Sequence, residues 1–120
     1  MARILICDDS EFMRNKIRDI LENNNHQVVG EAKDGVDAVE KFKKLKPDLV
    51  TMDILMKISG TLAIKEIIKI DPNARIIIIS IMDDHQADII ENIKMGVQGY
   101  VAKPVKAEVL ISEIERVLAK

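Results

Sequence analysis

The chain has 120 residues, enough for one domain with its own core. Its 48% apolar and 32% charged content excludes a disordered segment, and a net charge of −2 gives no reason to expect direct binding of nucleic acid or an anionic membrane. The lone cysteine cannot close an internal disulfide, no apolar run approaches the roughly 18 residues of a membrane span, and Met1-Ala2-Arg3 leads into too short an apolar run for a secretory leader, so a cytoplasmic location is expected.

Short apolar runs alternate with amphipathic stretches from end to end. Ile4-Leu5-Ile6-Cys7 reads as a buried strand, with Cys7 a small core residue, and Asp8-Asp9 follow it. Met13, Ile17, Ile20 and Leu21 then fall on one helical face, stopped by Asn23-Asn24-Asn25. Gln27 to Ala32 is a weaker second strand, Asp34-Gly35 a turn, and Ala38, Val39, Phe42 and Leu45 the inward face of a second helix closed by Pro47. Lys41, Lys43 and Lys44 read as a solvated helix end. The third strand, Leu49 to Met52, delivers Asp53.

After a loop ending at Ser59-Gly60, Ala63, Ile64, Ile67 and Ile68 mark a third helix, ended by Asp71-Pro72-Asn73. Ile76 to Ile79 is an unbroken β-branched run, as expected of a central strand covered on both faces, and Ser80 ends it. Asp83-Asp84 can cap a fourth helix through Ile89, Ile90 and Ile93, which Gly96 terminates. Gly99 to Ala102 is a short fifth strand, Lys103-Pro104 breaks the chain, and Leu110, Ile114, Val117 and Leu118 line a last helix. His26 and His85 read as surface histidines. Strand and helix alternating in this way predict an α/β fold with a five-stranded parallel sheet, doubly wound, with helices on both faces, over residues 1–120 as one domain.

The polar residues that end the strands carry the chemistry. In the order 2-1-3-4-5, one of the two common doubly wound arrangements, strands one and three are neighbours about 4.8 Å apart, and Asp8, Asp9 and Asp53 converge outside their carboxyl ends. Two carboxylates about 5 Å apart repel by roughly 3 kcal/mol at an effective dielectric of 20. A cation or raised pKa values must relieve three such pairs, and oxygen-only ligands suit Mg²⁺. Ser80 on the adjacent strand needs only a short hydroxyl to reach this point, whereas Lys103, two strands away, needs the longest flexible cation. A carboxylate nucleophile, a divalent ion, a hydroxyl and an ammonium make a phosphoryl-transfer site, with Asp53 becoming an aspartyl phosphate.

With these residues in order, the chain resembles over its whole length the receiver domain of two-component response regulators, most of all the stand-alone chemotaxis (CheY-like) type. The resemblance rests on Asp8-Asp9, Phe12-Met13-Arg14, Asp34-Gly35, Lys46-Pro47-Asp48, Met52-Asp53, Ser80, Gly96, Tyr100 and Lys103-Pro104. It implies the flavodoxin-like strand order 2-1-3-4-5, of which this family is a known instance. It also implies that Asp53 accepts a phosphoryl group from a histidine kinase, and that Asp9 binds Mg²⁺ directly, Asp8 through water and the Leu55 carbonyl as a further ligand. Ser80 and Tyr100 would form the switch, and the Lys103-Pro104 peptide would be cis. The fourth helix, fifth strand and fifth helix would be the face for an output protein. A monomer is expected, catalysing its own phosphorylation and dephosphorylation without turning over an external substrate.

The chain departs from the family's pattern at two places. No proline follows Met56, and Gly60 stands seven residues after Asp53, one fewer than usual; Ile81 replaces the usual small residue after the switch hydroxyl. A receiver-like binding module with impaired or lost phosphorylation is therefore the main alternative. A haloacid-dehalogenase-type phosphatase would want Asp-x-Asp where this chain has Asp8-Asp9, and a flavodoxin-like cofactor carrier would want a phosphate-cradling loop where Asp8-Asp9-Ser10-Glu11 would repel phosphate.

Overall fold

The computed structural model describes residues 1–56, 60–81 and 86–120, without the side chains of 86–90. Strands and helices alternate as β1 (Arg3–Cys7), α1 (Glu11–Asn23), β2 (Gln27–Ala32), α2 (Gly35–Leu45), β3 (Leu49–Met52), α3 (Gly60–Ile70), β4 (Ile76–Ser80), α4 (Gln86–Met95), β5 (Gly99–Ala102) and α5 (Ala107–Leu118). All strand pairs are parallel and the order is β2-β1-β3-β4-β5, as expected.

The period of two along each strand divides the core into two layers. Leu5, Cys7, Val50, Met52, Ile76 and Ile78 pack with Ala38 and Phe42 of α2 and Ala63, Ile64 and Ile67 of α3. Ile4, Ile6, Leu49, Ile77 and Ile79 pack with Ile17 and Leu21 of α1 and Leu110, Ile114 and Val117 of α5. The four isoleucines of β4 serve both layers in turn, and burying each contributes about 2 kcal/mol. Because α1 and α3 cover opposite faces, the loops after β1 and β3 part company, leaving a crevice at the strands' carboxyl ends.

Local chemistry sets the helix ends. The Ser10 hydroxyl accepts from the Met13 N–H at 3.2 Å, capping α1 just after Asp8-Asp9. Asp34-Gly35 is the start of α2 and not a separate turn: Asp34 has extended backbone and its carboxylate accepts from the Asp37 N–H at 2.8 Å, so Gly35 is already helical. Asn25 (φ 67°) takes the left-handed turn after α1, and Gly96 (φ 114°) the one after α4. The proposed cap Asp83-Asp84, and His85, lie outside the described residues. Cys7 is a buried free thiol, pushed up from its usual range by burial first and by Asp37 second.

Two surface readings need correction. Lys41 is not simply solvated: it donates to the Glu31 carbonyl and pairs with Asp37 at 3.3 Å. His26 is half-buried, and its Nδ1 accepts from the Ala2 N–H at 3.1 Å, fastening the start of β1. The Glu31 carbonyl and the Ala2 N–H are distant in sequence from Lys41 and His26, which is why spacing did not indicate them, whereas Asp37 lies one helical turn before Lys41.

Burial holds the His26 imidazole below its usual range, so the folded state resists its protonation. Stability present above an unfolded pKa of about 6.5 is therefore lost as pH falls through that value. Denaturant midpoints measured from pH 7.5 down to 5.5 should fall more steeply for the native chain than for His26→Gln; parallel curves would contradict the assignment. Thr51 gives a second test. Its hydroxyl is buried in β3 with no hydrogen-bond partner among the described residues, so Thr51→Val should stabilise by about 1 kcal/mol and raise Tm by about 3–5 °C.

Candidate functional site

The crevice is built by residues one step beyond the strands. The Asp8 N–H donates to the Ala32 carbonyl at 3.0 Å, that of Asp53 to the Cys7 carbonyl at 2.9 Å, and that of Lys103 to the Ser80 carbonyl at 2.9 Å. Each therefore continues the sheet's hydrogen bonding while its side chain leaves the sheet. Asp8 and Asp53 are buried; Asp9 is exposed.

The two buried carboxylates are held in the same way. Asp8 Oδ1 accepts from the Ser10 N–H at 2.9 Å and Asp53 Oδ1 from the Leu55 N–H at 2.9 Å, each a local turn two residues long. Lys103 Nζ donates to Asp8 Oδ2 at 3.1 Å and to Asp53 Oδ2 at 3.3 Å. It spans β4 to do so, as its length predicts, and the Lys103-Pro104 peptide is cis.

Carboxylate oxygens of Asp8, Asp9 and Asp53 lie within 4.8 Å of one another. With all groups ionised, three negative charges face one ammonium, leaving two negative charges. Burial pushes the Asp53 carboxyl above its usual range; the Leu55 N–H and Lys103 oppose this, and Asp8 adds to it. Burial works against the Lys103 ammonium, but Asp53 and then Asp8 outweigh it and hold its pKa above normal. The Lys103 ammonium gains two carboxylates, whereas Asp53 shares that ammonium with a like-charged neighbour, so the cost of its burial is not offset. The oxygen-only donor set fits a hard divalent cation, and its span is close to the roughly 4.2 Å between opposite ligands of an octahedron with bonds of about 2.1 Å.

Ser80 ends β4 beside this cluster, fully buried, its hydroxyl without a hydrogen-bond partner among the described residues. Ile78 pairs with Tyr100 and Ser80 with Ala102, so Ser80 and Tyr100 stand diagonally on one face of neighbouring strands. Tyr100 is half-buried, and Glu113 of α5 accepts from its N–H at 2.9 Å. Leu55 and Ile81 are exposed. The seven-residue spacing brings Gly60 directly behind Asp53: a Cβ there would stand 2.4 Å from the Asp53 carbonyl oxygen and 2.7 Å from Ile54 Cα. Only glycine fits, and the aspartate cluster is assembled despite the shorter loop.

Two groups escaped sequence reasoning. Arg14 reaches the Asp8 carbonyl at 2.9 Å, and buried Asn92 of α4 donates from Nδ2 to Thr61 Oγ1 in the first turn of α3 at 3.1 Å. Arg14 had a sequence signal, as part of Phe12-Met13-Arg14; Asn92, one of several polar residues on an amphipathic helix, had none.

Residues 4–115 match the family model of the response regulator receiver domain. The chain belongs to that family. It is 48% identical over 116 residues to a chemotaxis protein CheY of Thermotoga maritima, covering 96% of each chain. It is 47% identical over 117 residues to that of Bacillus subtilis, covering 97% of each. The crystal structure of the response regulator domain of Thermotoga maritima CheB superposes with a TM-score of 0.89 at 37% identity, covering 98% of this chain and 96% of that one. The phosphatase and cofactor-carrier readings are thereby set aside. Among the described residues no helix is long and apolar enough to cross a membrane.

A divalent cation at 100 times its Kd should stabilise this fold by about 2.7 kcal/mol. Thermal melts should show Asp9→Ala losing most of that increment while becoming more stable without metal, because one like charge has gone. Equal metal shifts in both proteins would place the cation elsewhere.

Proposed function

We propose that residues 1–120 act as one receiver domain in which Asp53 is the phosphoryl acceptor, with Mg²⁺ held by Asp9, Asp53, the Leu55 carbonyl and, through water, Asp8. The chain is a phosphorylation-dependent signalling switch of the response regulator family, and chemotaxis is the process its relatives' names suggest. The observation that carries the site assignment is the Lys103 ammonium shared between Asp8 and Asp53 with Asp9 in reach.

An Asp53 oxygen forms a bond to phosphorus as the P–N bond of the donor phosphohistidine breaks, the imidazole nitrogen keeping the electron pair. Lys103 is placed to neutralise charge on the phosphoryl oxygens. The ion would supply further charge neutralisation there. Ser80 has an uncommitted hydroxyl and can turn toward a new acceptor. Tyr100, on the same face, is the partner in the switch. A histidine kinase is the donor. The α4-β5-α5 face, where Ile93 and Val109 are exposed, would receive the output protein. A monomer in the cytoplasm is part of this reading.

The alternative, a receiver-like module without phosphorylation, is not favoured: neither the short loop nor exposed Ile81 has dispersed the acidic cluster or its lysine. Intact mass after incubation with acetyl phosphate and Mg²⁺ tests the assignment. One phosphoryl group should add to the native chain and none to Asp53→Asn; equal labelling of both would refute it.

A further inference from the structure

On the side of Asp8 away from Lys103 lies a second set of charges. Arg14, in the first turn of α1, uses both arms of its guanidinium: Nη1 donates to the Asp8 main-chain carbonyl at 2.9 Å and Nε to Glu31 Oε1 at 2.9 Å. Glu31 is itself fixed. Its other oxygen accepts from Arg18 Nε at 2.8 Å and Nη2 at 2.6 Å, and its carbonyl accepts from Lys41. Burial opposes ionisation of Glu31, but Arg18 and Arg14 outweigh it and keep its carboxyl below the usual range. The Arg14 side chain is 17% exposed, so this is a largely desolvated, two-point anchor.

The carbonyl that Arg14 holds belongs to the peptide joining Asp8 to Asp9. Turning that peptide would swing Asp9, whose carboxylate has no hydrogen-bond partner among the described residues to hold it in place. Asp8 has other anchors in Ser10 and Lys103; Asp9 depends on the peptide before it. We propose that Arg14 is a positioning residue for the cation site, fixing the Asp8-Asp9 peptide between Glu31 and the crevice so that the Asp9 carboxylate meets those of Asp8 and Asp53. This rests on the reading of the acidic cluster as a Mg²⁺ site. Lysine cannot take the role, since a single ammonium on a flexible stem lacks the planar fork that reaches both acceptors.

Calorimetric titration of Mg²⁺ into the full chain tests the inference, with Arg14→Ala, Arg14→Lys, Arg18→Ala and Asp9→Ala beside the native protein. Arg14→Ala and Arg14→Lys should weaken Mg²⁺ binding about tenfold or more, in the range for groups that orient metal ligands. Arg18→Ala should stay within about twofold, because Glu31 keeps Arg14 and its main-chain tie to Lys41. Acetyl phosphate labelling of Arg14→Lys should recover its native limiting rate at saturating Mg²⁺, the loss residing in affinity. Native-like affinity in either folded Arg14 variant overturns the proposal, as does an equal loss in Arg18→Ala, which would mark general loosening of α1 on β2. If the native chain binds no Mg²⁺, or Asp9→Ala binds it equally well, the reading of the cluster fails and takes this inference with it.

Discussion

A single ammonium holds the crevice together. Lys103 Nζ lies 3.1 Å from one buried carboxylate and 3.3 Å from another, on strands whose ends would otherwise repel. Two unit charges at such separations interact by several kcal/mol at an effective dielectric of about 20, a sizeable part of a domain's stability. The contact exists because β1 and β3 run parallel and end level with each other, and Lys103, at the exit of β5, reaches across the end of β4. Sheet order, the break at Lys103-Pro104 and the local turns at Ser10 and Leu55 all serve this meeting point.

The surrounding structure makes the crowding tolerable. β3 and β4 are buried on both faces, so their ends cannot drift apart without opening both core layers. Asp8 is tied four ways: main-chain N–H to Ala32, main-chain carbonyl to Arg14, and its two carboxylate oxygens to Ser10 and Lys103. Gly60 adds a steric limit behind Asp53, because the Asp53 carbonyl and Ile54 Cα lie where any side chain would stand. The aspartates thus keep their spacing by covalent geometry and hydrogen bonds, against their electrostatic preference.

The strands were legible because period-two patterns and β-branched runs are local signals, and β4 shows the second without interruption. The site was legible because each chemical residue lies immediately at a strand's end, so the fold alone brings Asp8, Asp53 and Lys103 together. What was not legible is long-range and polar: Arg14 to Glu31 across 17 positions, Ala2 to His26 across 24, Asn92 to Thr61 across 31. Such pairs follow from which helix face meets which strand end, a matter of packing that residue spacing does not encode. The shortened Asp53–Gly60 connection looked like damage in one dimension. In three, it sets Gly60 against the Asp53 carbonyl, the one residue type that the contact admits.

The charge count also constrains the order of events in the proposed reaction. Three carboxylates and one ammonium leave two negative charges in the crevice. Converting the Asp53 carboxylate to an acyl phosphate replaces one negative charge with about two, so the crevice would reach about −3 if nothing else changed. An incoming phosphoryl group, itself anionic, would meet that repulsion during approach. With a divalent ion held by the Asp8, Asp9 and Asp53 carboxylates beforehand, the resting crevice would be neutral and the phosphorylated one about −1. Lys103 would then be released from sharing two carboxylates to favour the phosphoryl oxygens, and among the described residues the uncommitted hydroxyl of Ser80 is a donor that could satisfy an added acceptor without breaking an existing bond. In the proposed reaction a movement of Ser80 would be a small rearrangement that answers the new charge, and Tyr100 lies on the same face of the sheet, two register positions away.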